Sequence, residues 1–131
     1  MKERKRMTKS ELENRLIDFA VAIIKLAGLL PNTFAGRHFS GQIIRSGTSP
    51  SLNYGEAQSA ESRKDFIHKI KVILKELRET LIALKIIQRS KLNSNQEFLL
   101  GLITENNELI SIFVKSVETA TYNENINTSK I

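Results

Sequence analysis

The residues that could do chemistry are concentrated between positions 36 and 70. Within that stretch His38, Gln42, Arg45, Ser49, Asn53 and Glu56 recur every three or four positions. On a helix of 3.6 residues per turn this spacing gathers all six within roughly 80° of one another. Two readings fit such a line. It could be a binding face, with Arg45 anchoring an anion or a partner and Asn53 and Glu56 shaping the site. It could equally be a buried polar network that fixes helix register or a contact between subunits. Arg45 and Glu56 would stand about 16 Å apart along a helix axis, so each needs a partner on another element. Ser46, Gly47, Ser49 and Ser51 are small enough to let a neighbouring backbone come close, which favours packing over chemistry.

A second line follows. Lys64, Lys71, Lys75, Arg78, Lys85 and Arg89 share another arc of roughly 80° on a helical wheel and extend over about 40 Å. Cations spaced this way can track a phosphate backbone and give salt-dependent binding. No aromatic residue is interleaved to stack on bases, so recognition would rest on charge and shape. A solvated helix face accounts for the same residues, and the sequence leaves both readings open.

Other chemistries find little support. The two histidines, His38 and His68, have no Glu three residues before them, as a di-iron helical bundle would require. There is no cysteine, hence no disulfide framework and no thiolate metal site. Neither a Walker loop nor a GxGxxG turn is present, and Gly41, Gly47 and Gly55 are not spaced to cradle phosphate. No serine–histidine–acid arrangement can be argued from spacing. The sequence therefore predicts no cofactor, no metal and no catalytic residue.

These lines must be held by helices. Ser10 and Glu13 match a capping box ahead of an apolar run that ends before Pro31, predicting a first helix over 11–30. Its core stripe is Leu12, Leu16, Phe19, Ile23, Leu26 and Leu30, while Ile17, Val21, Ile24 and Leu29 fall on other faces. A helix apolar nearly all round is buried on more than one side, which predicts a subunit contact. Thr33 caps a second helix over 34–59. The segment Ser46-Gly47-Thr48-Ser49-Pro50 reads as a loop by propensity, since interior Gly and Pro cost about 1 and about 3 kcal/mol relative to Ala. The polar line nevertheless keeps helical phase straight across it, so one helix is predicted, bent or loosened at Pro50.

Ser62 caps a third helix over 63–90, with Phe66, Ile70, Ile73, Leu77, Leu81, Leu84 and Ile87 facing the core. Val72, Ile82 and Ile86 lie outside that stripe. Ser94 and Glu97 suggest a capping box for a fourth helix over 95–122, in which Asn106 interrupts an apolar seam. A buried Asn of this kind fixes register at some cost in stability. Residues 1–10 read as a basic tail and 123–131 as a polar, disordered one. Short turns joining four long helices predict an all-α, antiparallel up-down-up-down four-helix bundle.

The 131 residues suit one domain, and the net charge of +6 is unevenly spread. Residues 1–10 carry +4 and residues 63–91 carry +6, with the rest acidic. This balance permits contact with nucleic acid or an anionic surface. The basic start MKERKRMTKSELENR lacks the apolar core of a secretory signal. Leu16–Leu30 is broken by Asp18, Lys25 and Gly28 and is not read as membrane-spanning. A cytoplasmic protein with no membrane association is expected.

ENRLIDFAVAIIKLAGLLP followed by GRHFSGQIIRSGTSPSLNYGEAQSAESRKDFIHKIKVILKELRET resembles the 23S rRNA-intervening sequence protein family of four-helix bundles, over about residues 11–120. Arg45 to Ser49, the Asn53-x-x-Glu56 step and Asp65 to Lys69 together carry the likeness. The resemblance implies a bacterial, cytoplasmic bundle without established catalytic activity that associates with itself as a ring, a homopentamer foremost. It also implies kinship with the accessory protein of diversity-generating retroelements, which works with a reverse transcriptase and nucleic acid. RNA or a nucleic-acid-binding protein is thus the expected partner, with a pure protein–protein scaffold as the alternative. Gly47 and Pro50 depart from the better helix formers of relatives.

Overall fold

The computed structural model describes residues 7–129, which form four helices: α1 (Lys9–Leu29), α2 (Phe34–Ala57), α3 (Arg63–Arg89) and α4 (Gln96–Ser129). Consecutive helices pack closely, and α1 touches α4 only lightly. Gly47 of α2 lies on Ile23 of α1, and the Ser40 hydroxyl donates to the Ala27 carbonyl at 3.3 Å. Across the next seam Arg45 reaches Glu76 and Glu79, while Lys69 meets Glu56. In both seams the numbers rise on one helix as they fall on the other, so these neighbours run antiparallel.

Each boundary has a local cause. Thr8 caps α1: its hydroxyl accepts from the Glu11 N–H at 3.0 Å, and the Glu11 carboxylate accepts from the Thr8 N–H at 3.4 Å. The expected Ser10–Glu13 box is therefore displaced by two residues. Two overlapping S/T-x-x-E matches compete here, and the outer one lets the helix start earlier. Leu30 is extended ahead of Pro31, as the residue before proline must be. Thr33 caps α2 through the Gly36 N–H, and a Cβ on Gly36 would lie 1.9 Å from the Pro31 carbonyl oxygen. Only glycine fits beneath that turn.

Ser62 caps α3 by accepting from the Asp65 N–H at 3.0 Å. At its far end Lys91 adopts a left-handed conformation with φ of 56°. The Leu92 N–H then returns to the Ile87 carbonyl and the Lys91 N–H to that of Gln88, which closes a Schellman turn. Asn95, rather than Ser94, caps α4 by accepting from the Phe98 N–H at 3.0 Å. The helix also continues through 123–129, where the sequence predicts a disordered tail. Residues 1–6 of the expected basic tail, and 130–131, lie outside the described residues.

The α2 helix runs unbroken through Gly47 and Pro50, both buried. A Cβ on Gly47 would sit 2.9 Å from two carbons of Ile23, so the missing side chain is what lets α1 and α2 approach. Pro50 has no N–H to give the Ser46 carbonyl. The core is continuous from end to end: Leu16, Phe19, Ile23 and Leu26 meet Ile43, Ile73, Leu77, Leu84, Ile87, Leu99, Leu109 and Phe113. Tyr54 stands edge-on to Phe113, with ring centroids 5.9 Å apart.

Candidate nucleic-acid interface

The cations of α3 lie on the side of the helix turned from its buried stripe. Lys64, Lys71, Lys75, Arg78 and Arg89 are exposed, and Lys85 is half-buried. The phase that puts Ile73, Leu77 and Leu84 in the core carries these six outward. None of them takes part in an ion pair among the described residues. The face is not uniformly charged. Ile82, 57% exposed, falls within the arc of the cations at the C-terminal half of the helix, and Ile86, 43% exposed, lies about 20° beyond its edge.

The α2 stripe sits differently. His38, Arg45 and Glu56 are exposed, and Gln42, Ser49 and Asn53 are half-buried. It is therefore not the buried network considered above; it lines the rim of the α2–α3 seam. Arg45 donates to Glu76 at 3.1 Å and to Glu79. The hydrogen bond from Arg45 holds the Glu79 carboxyl below the usual carboxylate range, and that bond in turn raises the guanidinium. Lys69 donates to Glu56 at 2.8 Å. Asn53 turns back along its own helix, donating to the Ser49 hydroxyl at 2.8 Å and carbonyl at 3.1 Å. His38 stacks edge-on against Phe39. Arg45 and Glu56 thus find their separate partners on α3, within one chain: Arg45 meets its acidic flank and Glu56 meets Lys69.

Three polar features were not singled out from the sequence as a site. Ser46 and Thr80 are fully buried with their hydroxyls 2.9 Å apart, and Thr80 lies 2.8 Å from the Glu76 carbonyl. A carbonyl only accepts, so Thr80 gives its one proton to Glu76 and takes that of Ser46. The signal was present: Thr80 falls in the core phase of α3 between Leu77 and Leu84. Second, Arg15 reaches from α1 to Glu105 at 2.7 Å and to Glu108, clasping the loosest seam of the bundle. The hydrogen bond to Glu105 raises its guanidinium above the ordinary value despite partial burial. No periodicity within one helix could have revealed that pairing. Third, Asn106 is fully buried and neither its side-chain oxygen nor its nitrogen has a partner.

No group of three His, Cys, Asp or Glu side chains able to hold a metal occurs among the described residues. No described helix is long and apolar enough to cross a membrane.

The profile of the 23S rRNA-intervening sequence proteins matches residues 8–115, from the cap of α1 into the second half of α4. The chain belongs to the 23S rRNA-intervening sequence protein family. Among solved structures it is similar to a protein of unknown function from the S23 ribosomal protein family of Bacteroides thetaiotaomicron. The two share 32% identity with a TM-score of 0.74, over 81% of this chain and 97% of that one. Comparison with curated proteins gives no match. The matched span includes both the stripe of α2 and the outer cations of α3. Family and neighbour alike are without an assigned activity, and neither indicates an enzyme.

Proposed function

We propose that this intervening-sequence protein is a non-enzymatic, self-associating bundle of the bacterial cytoplasm that binds RNA, bare or within a nucleoprotein, through the outer face of α3. The observation that carries this reading is the contrast in pairing. Arg15, Arg45 and Lys69 are held by carboxylates across helix seams, whereas the six outward cations of α3 have no acidic partner among the described residues. An unpaired row of charge about 40 Å long is free to exchange its counterions for phosphates.

Self-association rests on α1. Ile17, Val21 and Ile24 are 44%, 61% and 52% exposed and recur at helical spacing on the side away from the α1 core stripe. Covering such a row removes apolar surface from water at about 25 cal/mol per Å2. A closed ring of five copies is the arrangement implied by the family resemblance. A second reading, a protein scaffold without nucleic acid, is favoured by one observation, the exposure of Ile82 among the cations and of Ile86 beside them.

Light scattering at micromolar concentration should return a multiple of the 14.8 kDa chain mass. A monomeric mass would refute the role given to α1. Fluorescence anisotropy with a labelled single-stranded RNA should show binding in 0.1 M salt by the wild type. Absence of RNA binding even at low salt, with a protein partner still captured from nuclease-treated host extract, would transfer the assignment to the scaffold reading.

A further inference from the structure

The core is continuous along its length, but its composition changes at the end where α1 and α3 begin. There Ala57 and Ala120 are buried and Ser116 is half-buried, all smaller than the Leu, Ile and Phe of the middle layers, and Thr119 stands exposed on the wall. Small side chains between four helices at fixed spacing leave volume unfilled. The result is an open groove of about 600 Å3, within the range of small-molecule sites. Each helix contributes an apolar surface to it: Leu12, Tyr54, Ile70 and Phe113 from α1 to α4 in turn, with Phe66 and Ile112 beside them.

A smaller cavity of about 330 Å3 adjoins the groove and shares Lys9, Arg63 and Phe66 with it. Gln58 and Ser62 make the remainder of that cavity more polar. The charged residues lining the two spaces are Lys9, Arg63 and Lys115, all cationic. Among the described residues Arg63 has an ion pair with Glu124 at 3.9 Å, a residue outside both linings, and that separation leaves its N–H groups free of a close hydrogen bond to it. An apolar trough that opens onto cations selects one kind of occupant, a molecule with a hydrocarbon body and an anionic end.

We propose that this end of the bundle is a binding site for a small amphipathic anion, its apolar tail in the larger cavity and its carboxylate between Lys9 and Arg63. This is independent of the RNA reading, because neither Lys9 nor Arg63 belongs to the outer row of α3. The site joins the starts of α1 and α3 to the C-terminal part of α4, so an occupant would touch all three. Its preference should follow head-group charge, since a charged hydrogen bond is worth about tenfold or more in affinity.

The test is calorimetric titration of the full chain with dodecanoate and with dodecyltrimethylammonium, both below micelle formation. Dodecanoate is expected to bind one site per chain, about tenfold or more tighter than the cation of equal length. The double variant Lys9→Glu with Arg63→Glu should reverse that order. Both changes place acids in the first turn of a helix, where they favour folding. Thr119→Trp, at an exposed wall position, should remove binding of both probes while thermal melting stays cooperative. Equal affinity for the two head groups, undiminished dodecanoate binding in Thr119→Trp, or no dodecanoate binding by the wild type would each overturn the proposal.

Discussion

The α2 stripe and the outer face of α3 are built from similar materials, polar and charged side chains at helical spacing on adjacent helices. They differ in what stands opposite. Arg45 of the stripe faces Glu76 and Glu79, and Glu56 faces Lys69, so its charges are spent within the chain. Lys71, Lys75 and Arg78, on the far side of the same α3, face solvent. One row of charge aligns two helices. The other is turned to solvent, without an ion pair among the described residues. Spacing within a helix records which residues share a face, and only the neighbouring helix decides whether that face is closed.

That contrast can be broken, most strongly from inside the seams. Gly47→Leu should force Ile23 away and lower stability by about 2 kcal/mol net in urea unfolding, since overpacking outweighs the gain in helix propensity. The same substitution at Lys75 should leave stability within about 0.5 kcal/mol. Equal losses at the two positions would mean that α1 and α2 are not in the contact described. Asn106→Leu should act in the opposite direction, raising stability by about 1–2 kcal/mol, because two orphaned polar atoms give way to an apolar side chain of similar size. A loss on that substitution would show that Asn106 has an internal partner.

A smaller effect separates the seam from the outer face by pH. Glu79 has its folded-state pKa lowered, chiefly by the Arg45 hydrogen bond. Its stabilising contribution is therefore present above the unfolded value of about 4.3 and is lost as pH falls through the lower folded value. Glu79→Gln should flatten the acid limb of the stability curve below about pH 4, whereas Lys75→Gln should leave that limb unchanged. An acid limb of the same shape in wild type and Glu79→Gln would remove the Arg45 pair from the account.

Much of the architecture was legible because it depends on local physics. Apolar phase placed the four helices, Pro31 ended the first and Thr33 and Ser62 capped the next two. Phase also carried α2 through Gly47 and Pro50 against the local propensities, and Gly47 proved to be a contact with Ile23. The errors have equally local causes. Thr8 outcompeted Ser10, and Asn95 outcompeted Ser94, where overlapping capping patterns offered equivalent starts. The extension of α4 through the Asn-rich 123–129 ran against propensity, with the Arg63–Glu124 ion pair one tie to α3. What no single helix could disclose was pairing across seams: Arg15 with Glu105 and Glu108, Ser46 with Thr80, and Arg45 with two acids rather than with a ligand. The six cations of α3 were visible from spacing, but that they lack an ion pair among the described residues was visible only once α2 and α4 were in place.

The central proposal is that the outward cations of α3, and not the paired Arg45 of α2, bind RNA. The most direct measurement is the dependence of RNA affinity on salt for three proteins: wild type, Lys71→Glu/Lys75→Glu/Arg78→Glu, and Arg45→Gln. Six phosphate contacts on a single strand correspond to a log–log slope of about −4 for the wild type. The account predicts that the triple reversal abolishes binding in 0.1 M salt and that Arg45→Gln keeps both the affinity and the slope. Unchanged binding by the triple variant, or an equal loss in Arg45→Gln, would contradict it.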